Sequence, residues 1–142
     1  MKLYCLVNVK CCAIQAGIQA LHSTARMMHK YHMNGQAWAN LMIDTWMTHN
    51  ETVVLLQGGV HKTLRDKVNL LNGQEVMPFD FFTEEDINDA YTSISILCST
   101  GMVEDMKRLR EEEVTKEDLA QKYSSWSAAE ILEFMAFART IS

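Results

Sequence analysis

The residues of this chain best suited to chemistry lie between positions 10 and 26. Gln15, Gln19, His22 and Arg26 recur at spacings of four, three and four, which on a helix makes one polar stripe. Two amides, an imidazole and a guanidinium in a row can hold a ligand by hydrogen bonds and set a cation against an anion. An imidazole exchanges protons near neutrality, so His22 is a candidate general base. Lys10 adds an ammonium just upstream. His22, His29 and His32 also fall along one side of such a helix. Neither an HExxH segment nor a paired Cys/His spacing accompanies them, so no metal and no cofactor is expected. Cys11 and Cys12 stand at the helix mouth, where a helix N-terminus favours thiolate. The plainer reading makes them small loop residues.

The surrounding pattern says which elements carry these groups. Leu3-Tyr4-Cys5-Leu6-Val7 predicts a first strand. Ile14, Ile18, Leu21, Ala25 and Met28 then recur at helical spacing as the expected buried stripe. Ala13, Ala16, Gly17 and Ala20 are small enough for close packing. Asn34-Gly35 ends the helix, and Trp38, Leu41, Met42, Thr45 and Trp46 predict a second one to about Met47. Thr52 to Leu56 reads as a buried strand closed by Gly58-Gly59. Thr63 is expected to cap a third helix carrying Leu64, Val68 and Leu71, with Asn72-Gly73 as its stop. Val76 to Phe82 contains the only proline, Pro78, and predicts an edge strand or strand entry. Phe81 and Phe82 then point to opposite faces. An acidic turn, Thr83 to Asp86, leads to a last strand, Thr92 to Cys98. The order is β-α-α-β-α-β-β, which implies a mixed four-stranded sheet with helices packed on it.

A helical tail follows. Met102, Met106 and Leu109 mark one helix, and Thr115 to Asp118 and Ser127 to Glu130 both fit a capping box. Ile131, Leu132, Phe134, Met135 and Phe137 make the last helix strongly apolar. That excess predicts either a cover for an exposed sheet face or a homodimer contact, and the homodimer is the preferred expectation.

Charge narrows the partners. Residues 1–82 carry seven Lys/Arg and five Asp/Glu, whereas residues 83–142 carry six and thirteen. A grip on a long nucleic acid calls for a basic stripe, and none is present. The N-terminal part suits a small anion or one or two phosphates. No apolar run approaches the length needed to cross a bilayer, and no signal-peptide pattern opens the chain. Four cysteines without a CxxC pair fit a reduced, cytoplasmic setting.

The first strand followed by Gln15-Ala16-Gly17-Ile18-Gln19-Ala20-Leu21-His22 resembles the type 2 peptidyl-tRNA hydrolases, whose first helix carries a Gln-x-x-His signature. Thr52 to Leu55, Leu64 to Leu71 and Phe82-x-Glu84-x-Asp86 through Thr92 follow in that family's order. The nearest likeness is to short, divergent members from bacteria and their phages. The resemblance implies a hydrolase-like α/β core over residues 1–98 and a helical extension over 99–142, packed on that core or at a dimer interface.

In that family a lysine near the start of the first helix, an acidic residue and threonines cleave the ester joining a peptide to the 3′ end of tRNA. Here Gln15 takes the lysine's place, and His22, Asp86 and Thr92 are the implied catalytic counterparts. Lys10, Gln15, Gln19, His22, Arg26 and Phe82 are the implied ligand-binding set. Ester cleavage develops negative charge on oxygen, and a neutral glutamine supplies no cation to meet it. The preferred expectation is therefore a catalytically weakened relative that binds a nucleotide-containing ligand. A phage protein capturing a nucleotide signal of host defence, in the host cytoplasm, fits that description. The alternatives are an active hydrolase of peptidyl-tRNA or a related aminoacyl ester, and an interaction module with a vestigial pocket.

Overall fold

A computed structural model describes residues 1–141. Its centre is β1 (Lys2–Asn8), which pairs in parallel with β2 (Val53–Gly59) and antiparallel with β4 (Ala90–Cys98). Strand β3 (Phe79–Glu84) joins β4 antiparallel, giving the order β2-β1-β4-β3. Alternation along β1 divides the core in two. Leu3, Cys5 and Val7 face α1 (Ile14–Asn34) and α2 (Ala37–Thr45). Tyr4 and Leu6 face the opposite layer, built from α3 (His61–Leu71), α4 (Thr100–Arg110), α5 (Lys116–Lys122) and α6 (Trp126–Phe137). The protein is thus α/β, with a mixed four-stranded sheet and helices packed on it. None of the helices is long and apolar enough to cross a membrane.

The first helix meets the sheet with a different face from the expected one. Ala16, Ala20, Ser23, Met27 and Tyr31 are buried, while Ile14, Ile18 and Leu21 are exposed. The reason is the short distance at which α1 sits on β4. Ser93 Oγ donates to the Gln19 carbonyl at 2.6 Å, and the Ser23 and Ser95 hydroxyls meet at 2.7 Å. Thr24 Oγ1 lies 2.8 Å from Ser95 Oγ. Main chain and hydroxyls this close leave room for methyl groups but not for isobutyl ones, so the aliphatic stripe turns outward. In α2, likewise, Ala39 and Ile43 are buried and Leu41 is exposed.

Three further expectations are corrected. β2 is an edge strand, not a buried one, and Val53 is largely exposed. Its outer side is nonetheless paired: Gln57 N–H donates to the Arg139 carbonyl at 2.8 Å, and Ile141 N–H to the Leu55 carbonyl at 2.9 Å. The N-cap of α3 is Val60 instead of Thr63. The N-cap of α6 is Ser125, whose hydroxyl accepts from Ala128 N–H, instead of Ser127. The Thr115–Asp118 capping box forms as expected.

Part of the last helix's apolar excess is used within the chain, while Phe137 stays exposed. Ala128, Ile131, Leu132 and Met135 are buried in the same cluster as Leu64, Ile94 and Ile96. Asp105, 2% exposed, ties this layer together. It accepts from Tyr123 Oη at 2.5 Å and Lys122 Nζ at 2.8 Å, linking α4 to the end of α5. Lys122 is half exposed and regains water when the carboxylate is removed, so the group left without its partner is the part-buried Tyr123 hydroxyl. Asp105→Ala is therefore expected to cost about 2 kcal/mol, read as a lower urea midpoint with unchanged m-value.

Tyr4 supplies a pH-dependent contribution. Burial, reinforced by Cys98 and opposed by Arg110, pushes its phenol up from 10.0 to about 12. The folded state therefore holds this proton more tightly than the unfolded chain. The associated stability is complete below pH 10 and is lost as pH rises through about 12, a difference on the order of 2 kcal/mol. Tyr4→Phe removes that titration, so alkaline unfolding is expected to move to higher pH in a circular-dichroism titration.

Candidate functional site

At the carboxyl ends of the parallel pair the chain leaves in opposite directions. After β1 it climbs to α1 on one face, and after β2 it enters α3 on the other. In open α/β sheets such a divergence leaves a crevice between the two loops, the usual ligand position. Here the crevice is a cavity of about 540 Å³. Asn8 lines it from the end of β1, Lys10 and Cys11 from the loop that follows, Val60, His61 and Lys62 from the start of α3, Ile87 from the β3–β4 connection and Ala90 from the start of β4.

Local interactions fix this shape. Asn8 is 6% exposed; its Nδ2 donates to the Tyr91 carbonyl at 3.0 Å, and its Oδ1 accepts from Lys10 N–H at 3.0 Å. One side chain thereby orients the lysine loop and holds the end of β4. His61 Nδ1 accepts from Tyr91 N–H at 3.0 Å, which puts the ring's own proton on Nε2. Val9 N–H donates to the Gly59 carbonyl at 2.8 Å, joining the two loops. Gly59 has φ +88°, and a Cβ there would come within 2.8 Å of Thr63. A Cβ on Gly58 would meet Leu64 at 2.7 Å and Leu6 at 3.0 Å. The glycine pair lets α3 begin hard against the strands.

The electrostatics favour an anion at one end. The N-cap of α3 is a valine, whose side chain accepts no hydrogen bond, so the first-turn N–H groups have no side-chain cap. Helix N-termini attract negative charge through such groups and through the macrodipole. Lys10 and Lys62, both exposed cationic residues, border the same cavity. Cys11 is not thiolate-prone. Partial burial, together with Cys12 and Glu84, pushes its thiol up. Glu84 thus sets a carboxylate near that wall.

The residues singled out by sequence distribute over five places. Lys10 lies in the crevice. Gln19, His22, Phe82 and Thr92 gather beside it at the α1–β3 seam. Thr92, 1% exposed, donates its one hydroxyl proton to Gln19 Oε1 at 2.7 Å, with the Phe82 carbonyl a longer, shared acceptor at 3.3 Å. The His22 ring stacks on Phe82 with centroids 4.4 Å apart, while Phe81 stacks on Tyr91. Gln15 is exposed near the start of α1. Arg26 lines a separate cavity with Ala25, His29, Lys30 and Asp80. Asp86 is exposed in the 3₁₀ turn Glu85–Ile87, and neither His22 nor Thr92 hydrogen-bonds to it. Among the described residues no group of three His, Cys, Asp or Glu side chains is placed to hold a metal.

Sequence reasoning missed Asn8, His61 and Lys62. A signal for the last two was available: Gly58-Gly59-Val60 runs from a strand into a helix with no Ser, Thr, Asp or Asn to cap it. Compared with models of known protein families and with curated proteins, the chain matches none.

The crevice depends on its glycine corner. Gly59→Ala is expected to destabilise the fold by about 2 kcal/mol through the left-handed φ and the Thr63 contact, measured as a fall in the urea midpoint.

Proposed function

We propose that this protein binds a nucleotide-containing ligand without turning it over, its phosphate held in the crevice between the β1 and β2 loops. The observation that carries the reading is the cavity of about 540 Å³ in which Lys10, Lys62 and the uncapped start of α3 converge. Its size falls within the range of small-ligand sites, and its main-chain donors and ammonium groups suit one or two phosphates. The acidic C-terminal half argues against a long nucleic acid.

The non-catalytic part of the reading rests on how the seam residues are occupied. The His22 ring is packed face to face on Phe82. The Thr92 hydroxyl is committed to Gln19 and the Phe82 carbonyl. Asp86 belongs to an exposed turn and is no orienting partner for His22. A base without an orienting carboxylate, beside a hydroxyl already donated elsewhere, lacks the coupled geometry of acid–base or nucleophilic catalysis. A protein that retains a nucleotide without consuming it acts by sequestration, in keeping with capture of a nucleotide signal.

The test is calorimetric titration with nucleoside mono-, di- and triphosphates and cyclic dinucleotides. Binding is expected to weaken about tenfold in Lys10→Ala and in Lys62→Ala, the loss of one charge-assisted contact each. It is also expected to weaken as salt rises. Lys107→Ala, which removes the same charge from the exposed side of α4, leaves it unchanged. No binding by the folded protein, or binding indifferent to both lysines, overturns the reading. Incubation with an N-blocked aminoacyl-tRNA is expected to give no turnover; turnover lost in His22→Ala would make the protein a hydrolase instead.

A further inference from the structure

We infer that the base of the bound nucleotide sits in a second cavity beside the phosphate crevice, stacked on Phe137; the inference rests on the nucleotide reading above. This second cavity has a volume of about 520 Å³. It is built on the same two loops: Val9 and Gly59, whose hydrogen bond joins those loops, line it, while their neighbours Asn8, Lys10 and Val60 line the first. The two cavities are thus lined by consecutive residues of the same two loops.

The lining has the chemistry of a base site. Phe137 closes α6 and is 64% exposed, an aromatic ring that the fold itself does not use. The neighbouring Phe134 ring is partly buried and already carries Lys67 Nζ 4.4 Å from its centroid. Every base presents a π-face to a free aromatic ring, so stacking on Phe137 accepts any of them. Gln57 offers an amide donor and acceptor in the same lining, suited to the edge of a base, while Glu133 is paired with Lys116 at 3.7 Å. The wall is fixed before any ligand arrives. Gln57 N–H is bonded to the Arg139 carbonyl at 2.8 Å, only two residues beyond Phe137.

The test compares the four ribonucleoside monophosphates with ribose 5-phosphate, which keeps the anion and lacks the base. Phe137→Ala is expected to weaken the nucleotides about tenfold, the loss of one base–aromatic stack, and to leave ribose 5-phosphate unchanged. Phe137→Trp retains nucleotide affinity. Lys62→Ala weakens both ligands. Phe137 is exposed, so its loss does not threaten folding, and an unchanged thermal midpoint checks this. Should ribose 5-phosphate bind as tightly as the nucleotides, with Phe137→Ala neutral for all of them, the base site is overturned and the phosphate crevice stands. Should the wild-type protein bind neither class, both readings fall together.

Discussion

A single hydrogen bond between main-chain atoms, Val9 N–H to the Gly59 carbonyl, marks the constraint on which this structure turns. It extends the parallel pairing of β1 and β2 by one step, past a register irregularity at Val7 and Asn8, at the point where the chain leaves for opposite layers. Parallel strands must be connected by a long crossover, here α1 and α2, and a second helix must cover the other face. The two loops are forced together at one end of the sheet and forced apart immediately above it. The crevice is the space that remains. Glycine at 58 and 59 is the condition for it, because a Cβ at 58 would strike Leu64 of α3 and Leu6 of β1, and one at 59 would strike Thr63 of α3.

Much of this frame was legible in the residues. Strand 1, the Asn34-Gly35 stop, the Leu64–Val68–Leu71 face of α3 and the Thr115 capping box rest on local pattern, which the structure reproduces. The rotation of α1 was not legible. Its sequence contains two competing stripes, a bulky one at Ile14, Ile18 and Leu21 and a small one at Ala16, Ala20 and Ser23. Hydrophobic periodicity favours the bulky stripe. What decides the matter is tertiary: Ser93 and Ser95 on β4 offer hydroxyls to α1's main chain and to Ser23 and Thr24, and only small residues allow that approach. The chain position of Ser93, some seventy residues away, is invisible to any local window.

The candidate site follows the same division. Lys10 was legible as a cation ahead of a helix. Asn8 was not, because its value lies in one side chain serving two distant main-chain groups, the Tyr91 carbonyl and the Lys10 N–H. His61 and Lys62 required knowing that the end of β2 lies beside the end of β1. The polar stripe of α1, which looks continuous in sequence, is divided in space. Gln19 is bonded to Thr92, His22 is stacked on Phe82, and Arg26 borders another cavity. Equal spacing on a helix guarantees a common face but not a common ligand, since the helix runs past several neighbours over its length.

An acidic protein with a cationic crevice is no contradiction. Charges separated by more than about 8 Å are largely screened at physiological salt, so the local arrangement of Lys10, Lys62 and the α3 N-terminus outweighs carboxylates elsewhere. The distribution still has a consequence. Binding a polyanion requires cations along many phosphates, whereas one or two phosphates need only one converging set, and the crevice has one. Glu84, close enough to Cys11 to raise its thiol, opposes extension of negative charge toward that wall.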